Sequence, residues 1–221
     1  MPSENQKALS SRIYIEIVSK IVLGTFPKGQ RLVEEELAET YGVSRTPVRE
    51  AIFALQKDGL IERTVSRGAI VGAFTPDDVE QIFDVRKALE CIAIRSANRN
   101  LKLNDLLRLE VRLRALADCD SAKFIQEHAA IDIELHQLII SHSHNRWLST
   151  YMENISLLTH ALRSMGYRNL DQASRRNKEH FGIVQALLRR DAELAEKLLA
   201  DHIELAKKIA LEFFLQNRRQ D

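Results

Sequence analysis

Glycine and proline are distributed so unevenly along this chain that two kinds of structure are required. Six of the eight glycines and three of the four prolines precede residue 75. From Pro76 onward only Gly166 and Gly182 remain, and apolar residues recur at helical spacing over long stretches. A boundary therefore falls near Phe74–Thr75, giving units at 1–74 and 75–221. Thr75-Pro76-Asp77-Asp78 is itself a helix start: a capping threonine, a proline at the first helical position, then two acids at the positive end of the dipole.

In the first unit, Ile13, Ile17 and Ile21 fall four residues apart, the pattern of one amphipathic helix stopping at Gly24. Phe26-Pro27-Lys28-Gly29 reads as a turn. Residues 33–41 predict a short helix with Leu37 and Ala38 facing a core, and Gly42 breaks it. Ser44 then caps a second helix that runs to Asp58 and ends at Gly59. Leu60–Arg63 and Ala69–Phe74 read as strands joined by a tight turn at Val65-Ser66-Arg67-Gly68. Helix, helix, turn, helix, hairpin is the order of a winged helix-turn-helix. The second unit predicts helices at 76–99, 104–118, 121–142, 145–165, 171–189 and 191–217, with Asn104, Ser121 and Asp191 as N-caps. The expected fold is mostly α: an N-terminal winged helix-turn-helix, then an all-α antiparallel bundle of six to seven helices.

A hydrophobic fraction of 45% and a charged fraction of 29% suit a globular domain with an ordinary core. No apolar run approaches the roughly 18 residues of a membrane span. The polar start, MPSENQKALSSR, lacks the apolar stretch of a signal peptide. Cys91 and Cys119 match no paired metal or redox spacing, so a cytoplasmic protein with reduced thiols is expected. The net charge of +1 does not by itself point to nucleic acid. Any DNA binding has to be argued from where the charges lie.

They lie well for it. In a helix-turn-helix the N-terminus of the second helix enters the major groove. Here that end reads Gly42-Val43-Ser44-Arg45-Thr46-Pro47-Val48-Arg49, two guanidiniums and two hydroxyls with no acid in the first turn. Arg45 and Arg49, at i and i+4, share a face from which either can pair with a guanine edge. Ser44 and Thr46 suit phosphate or base, and the helix start itself favours phosphate. Val48, Ala51, Ile52 and Leu55 form the opposite, apolar face. Arg67 and Gly68 stand at the hairpin tip, placed for the DNA backbone or minor groove. In isolation, Ser-Arg-Thr-Pro is equally a capped helix start with solvated arginines; the glycine turn before it and the hairpin after it favour DNA.

In the second unit, Asp132 and His136 are four apart and project from one helix face, where a carboxylate and an imidazole can grip a divalent ion. His180 and His202 lie on later helices among apolar positions. Spacing alone leaves alternatives open. His128 stands one turn before Asp132 and competes for the same role, His160 either lines a cavity or packs, and His142 and His144 fall near a helix end where an imidazole offsets the dipole.

The segment Phe26-Pro27-x-Gly29-x-x-Leu32, then Leu37-Ala38, Gly42 through Ala51, Leu55, Gly59-Leu60 and Arg67-Gly68 resembles the GntR family of bacterial transcription regulators. The resemblance implies that Ser44, Arg45, Thr46, Pro47, Arg49, Arg67 and Gly68 form the contact with double-stranded operator DNA. Some relatives carry a basic residue on the first helix of the motif. This chain has Glu34, Glu35 and Glu36 there, which argues against a phosphate contact from that helix.

The second unit resembles the all-helical FCD effector domain of the FadR branch. The resemblance rests on Asp84-Val85-Arg86-x-x-Leu89-Glu90, Asp132-x-x-x-His136 followed by Asn145, Glu179-His180, and Asp191-x-x-x-Ala195 before His202. It implies that Asp132, His136, His180 and His202 hold a divalent metal, Zn²⁺ or Ni²⁺, at the floor of a cavity for a small carboxylate such as a sugar acid or hydroxy acid. Arg86 is a candidate anchor for that carboxylate, or else the partner of Glu90 four residues on; Arg163 and His160 are further effector candidates. Relatives often have glycine before the Asp191 position, where this chain has Arg190. A homodimer on a pseudo-palindromic operator is expected.

Two other functions compete. A metal held by Asp and His can activate water, but a hydrolase needs a base, and Glu134, two residues from both Asp132 and His136, points off their face. The bundle could instead be a dimerisation module with a structural metal and no effector.

Overall fold

A reciprocal capping box opens the second half of the molecule. In the computed structural model, which describes residues 4–64, 68–116, 121–164 and 170–218, the Asp78 N–H donates to Thr75 Oγ1 at 3.4 Å and the Thr75 N–H donates to the Asp78 carboxylate at 2.7 Å. Before this point lie α1 (Glu4–Val22), β1 (Arg31–Leu32), α2 (Glu34–Tyr41), α3 (Arg45–Lys57), β2 (Ile61–Thr64) and β3 (Gly68–Val71). After it the described residues hold six helices: α4 (Pro76–Ala97), α5 (Leu103–Ala115), α6 (Ser121–Ser141), α7 (Arg146–Ser164), α8 (Leu170–Leu188) and α9 (Ala192–Arg218). None is long and apolar enough to cross a membrane.

The turn between α2 and α3 depends on Gly42, whose φ of 63° lies in the left-handed region that glycine enters without strain. Val48, Ala51, Ile52 and Leu55 are buried along one side of α3, against α1, α2 and β2. Each of the three larger side chains contributes roughly 1.5–3 kcal/mol through burial. Ile13, Tyr14, Ile17, Val18 and Ile21 of α1 complete this core. Two hydrogen bonds tie α1 to α3: Gln6 Nε2 to Glu50 at 2.7 Å, and Tyr14 Oη to Asp58 at 2.5 Å.

The wing holds one more strand than the sequence suggested. β3 is central, paired antiparallel to both β2 and β1, with Arg31 opposite Ile70 and Leu32 opposite Ala69. The second hairpin strand is shorter than expected, and the first is displaced by one residue. Asn104 does not cap α5, which begins one residue earlier, after Lys102. Asp191 does cap α9, accepting from the Leu194 N–H at 3.0 Å, and Ser121 is the first residue of α6. Ser44 holds the N-cap position of α3, but its hydroxyl makes no capping bond.

The two halves meet at α1, which packs on α7, and at Phe74, whose ring sits edge-on to Phe214 of α9 at 5.9 Å. Within the bundle, α4 and α9 form the longest contact, and α6 and α8 complete a layer around a buried polar centre.

Candidate metal centre and nucleic-acid interface

That polar centre contains all four ligand candidates. α6 supplies Asp132 and His136 one turn apart, α8 supplies His180, and α9 supplies His202. One donor atom from each lies within 4.8 Å of the others, and all four residues are buried. Asp132 Oδ1 is 3.2 Å from His180 Nε2, 3.6 Å from His136 Nε2 and 4.0 Å from His202 Nε2. The Nε2 atoms of His180 and His202 stand 3.2 Å apart. Burial and mutual crowding disfavour the charged forms of His180 and His202. Burial acts first: it pushes His180 down despite the hydrogen bond that His180 donates to Asp132, and His202 well below its ordinary value with help from His180 and His136.

Neutral imidazole is the ligating form, and one carboxylate among three imidazoles leaves a buried negative charge that a divalent cation offsets. The donor set therefore fits a borderline ion such as Zn²⁺ or Ni²⁺. Partners behind the ligands support it. His202 Nδ1 lies 2.7 Å from Glu179 Oε2, and His136 Nδ1 hydrogen-bonds Glu90. Such carboxylates fix which ring nitrogen stays free to coordinate. Sequence reasoning missed both roles, because each carboxylate reaches a histidine on a different helix.

His128, the competing histidine, stands outside the group of four. Its ring stacks on His180 with centroids 5.0 Å apart and planes at 15°. Burial and the neighbouring His180 push it down to about 3. His142 is at the end of α6, its Nδ1 3.0 Å from the Leu138 carbonyl oxygen, with His144 beside it.

Arg86 pairs with Glu90 and also borders a cavity. Its Nε donates to Glu90 Oε1 at 2.6 Å in a fully buried pair, and Nη2 lies 3.1 Å from His136 Nε2. Burial opposes ionisation of Glu90, but Arg86 and then His136 hold its carboxyl at about 2. Arg86, Glu90 and His136 also line one end of a 180 Å³ cavity, with Met152, Thr159 and His160 of α7 further along. His160 therefore lines the cavity. Arg163 falls on the last turn of α7, and its side chain lies outside those described.

At the other end of the molecule, Ser44, Arg45, Thr46 and Arg49 are exposed at the start of α3. Pro47 is not: it is buried with Val48 and turns into the core, so its part is to start the helix, not to touch DNA. Arg67 lies outside the described residues. Gly68 begins β3 at a φ of 71° and helps line a 570 Å³ groove between α3 and the wing. Arg45, Arg49 and two arginines not foreseen, Arg31 and Arg63, line the same groove. Their signal was faint: exposed positions of very short strands. Glu35 and Glu34 hold Arg45 and Arg49 at 2.7 and 3.0 Å.

Comparison with known proteins agrees with both ends of this description. Residues 9–71 match the model of the bacterial regulatory proteins of the gntR family, and residues 81–205 match the FCD domain. Over 197 residues the chain is 29% identical to the uncharacterized HTH-type transcriptional regulator YdhC of Bacillus subtilis, covering 86% of each. It is 30% identical over 202 residues to a probable D-xylose utilization operon transcriptional repressor of Paenarthrobacter nicotinovorans, covering 88% of this chain and 85% of that one. The E. coli McbR/YncC structure shares the fold, with a TM-score of 0.68 at 22% identity over 96% of this chain and 99% of that one. These relatives are regulators, and Glu134, the one base considered for hydrolysis, is held by Arg108 and Arg112. The chain belongs to the GntR family of DNA-binding bacterial transcription regulators and carries a C-terminal FCD domain.

Proposed function

We propose that this regulator, of the FadR branch, binds a pseudo-palindromic operator as a homodimer and changes its hold when a small carboxylate enters the bundle. Residues 1–74 read the DNA, through Ser44, Arg45, Thr46, Arg49, Arg67 and Gly68. Residues 75–221 sense the effector. Asp132, His136, His180 and His202 hold a divalent metal, Zn²⁺ or Ni²⁺, which supplies an electrophilic anchor for a carboxylate oxygen. Arg86 adds a fixed cation at the same end of the cavity, and His160 lines its wall. One observation carries this reading: a buried Asp-and-three-His cluster that opens, through His136, onto a cavity large enough for a small acid. A relative named as a gluconate operon transcriptional repressor, from Bacillus licheniformis, supports a sugar acid as the effector class.

A thermal-shift panel of small carboxylates, run on Zn²⁺-loaded protein and again after chelation, tests it. A ligand that binds only the folded state raises the melting temperature by mass action. An acid that stabilises the loaded protein and loses its effect on chelation is the expected result. A large drop on chelation with no response to any acid would leave a structural metal and a dimerisation module.

A further inference from the structure

α4 has two faces. Arg86 and Glu90 turn inward and are buried beside His136. The opposite face is exposed, and its middle is apolar: Val85 is 50% exposed and Ile92 42%, with exposed Ala88 between them. Gln81, Val85, Ala88, Ile92 and Arg95 follow one another at steps of four, three, four and three. That is the spacing of a seam that packs along another helix.

The exposed charges of this helix and its end are divided at the same point. Before Ala88 they are acidic, Asp77, Glu80 and Asp84; after it they are basic, Arg95 and Arg99. Two already have partners on α9, Asp84 with Lys207 at 2.9 Å and Arg95 with Glu196 at 3.4 Å, yet their side chains remain 58% and 57% exposed. A parallel copy would set acid against acid and base against base. An antiparallel copy, related by a two-fold axis at Ala88, sets Asp77 opposite Arg99 and Glu80 between Arg95 and Arg99. Such an interface must be complementary to itself, and this face is. A second exposed row, Leu103, Leu107 and Val111 on α5, lacks the division: Lys102, Asp105, Arg108, Glu110 and Arg112 alternate in sign beside it.

We propose that the outer face of α4 is the surface on which two copies of this chain pair, antiparallel, through Val85, Ala88 and Ile92. The small alanine on the axis lets the two helices approach closely. Spacing of the DNA-reading units follows from the same geometry. Ala88 lies roughly 18 Å along the helix from Pro76. The two starts of α4, each carrying a DNA-reading unit, thus stand roughly 36 Å apart, close to the about 34–36 Å between half-sites one turn apart on duplex DNA. The assignment rests on the homodimer reading above and adds which surface pairs, in which direction, and how far apart the two units are held.

Sedimentation velocity of the full chain at low ionic strength, where exposed charges are least screened, tests it. The parent sediments as a dimer. Asp77→Lys with Glu80→Lys leaves the seam basic at both ends, and Arg95→Glu with Arg99→Glu leaves it acidic at both ends. Each double variant weakens self-association at least about tenfold, because like charges now face each other. An equimolar mixture of the two restores a dimer within a few-fold of the parent's affinity, which misfolded variants could not do. Ala88→Arg, at an exposed position, sets a cation against its own copy on the axis and also yields a monomer. Leu107→Glu with Val111→Glu on α5 leaves the dimer intact. A dimer unmoved by both charge reversals, folded variants whose mixture does not re-form it, or loss of the dimer in the α5 variant would each overturn the α4 face while the homodimer stands. A parent that is monomeric at every concentration would remove the homodimer reading and this inference with it.

Discussion

Arg190 shows how a single side chain can reverse the usual preference at a turn. Its φ of 59° is left-handed, a position that favours glycine. The guanidinium compensates by donating to the carbonyls of Asn98 and Leu101, while the Asn98 side-chain amide donates back to the Arg190 carbonyl at 3.0 Å. The end of α4 is thus clamped to the α8–α9 turn. Arg190→Ala should lower stability by about 2–4 kcal/mol, since it loses two charged hydrogen bonds and keeps the strain. Arg190→Gly should lose about 1 kcal/mol less, because glycine relieves the backbone. Urea unfolding of both variants decides this, and equal midpoints for the two would show that the backbone conformation costs nothing here. At the DNA end, Arg45→Ala should weaken specific binding by about 1–3 kcal/mol per site if the guanidinium reads a base. Glu35→Gln should act in the opposite sense. The Arg45–Glu35 pair is exposed, so stability should barely change. Freeing the cation should tighten non-specific DNA binding several-fold at low salt, an effect that fades as ionic strength rises. Fluorescence anisotropy at two salt concentrations reads both variants; weaker binding by Glu35→Gln would instead mean that the acid holds Arg45 in its reading position.

At the scale of elements, what was legible in the sequence is what repeats or punctuates. The α1 pattern at Ile13, Ile17 and Ile21, the glycine at position 42 and the Thr75 cap each reflect a local rule, and each appears where it was read. Thr75→Ala should cost about 1 kcal/mol by opening the capping box, as denaturant unfolding would show, and no loss would mean that Pro76 alone sets the helix start. β1 was not legible, because two residues give no alternation and its pairing is decided by β3 from far along the chain. Asn104 has the right side chain for a cap, yet α5 begins before it, since Leu106, Leu109 and Leu113 set which turn faces the core. The candidate site divides in the same way. Asp132 and His136 share a face by helical geometry alone, whereas choosing among His128, His160, His180 and His202 needs the packing of α6, α8 and α9. The resemblance supplied the set of four, and the structure brings those four together with His128 beside them. Glu90 and Glu179 were invisible as partners because each acts across a helix interface, which no spacing along the chain encodes.

For the whole molecule, the question is how a ligand in the bundle reaches DNA. One path is built into the packing. α7 carries Met152, Thr159 and His160 along the cavity and packs on α1. α1 in turn is bonded to the middle and the C-terminal end of α3, through Gln6 to Glu50 and Tyr14 to Asp58. A small shift of α7 on closing around an effector would thus move α1 and α3 as one body, re-aiming Arg45 and Arg49. A shared path of this kind has a thermodynamic signature, since coupling between effector and operator must be equal in both directions. Tyr14→Phe keeps the ring in the core and removes only the bond to Asp58, at a cost of about 1 kcal/mol in stability. Asp58 is half-buried beside solvent and can be hydrated once the phenol is gone. The variant should bind the effector and operator separately with affinities close to those of the parent. The effector's influence on operator affinity should fall, and the operator's influence on effector affinity should fall by the same factor. Anisotropy with and without acid, and titration of acid with and without operator, measure the two. Unchanged coupling in Tyr14→Phe would rule out the α1–α3 bond as the carrier and place the transmission at the Phe74–Phe214 contact, or in the spacing of the two protomers of the proposed dimer.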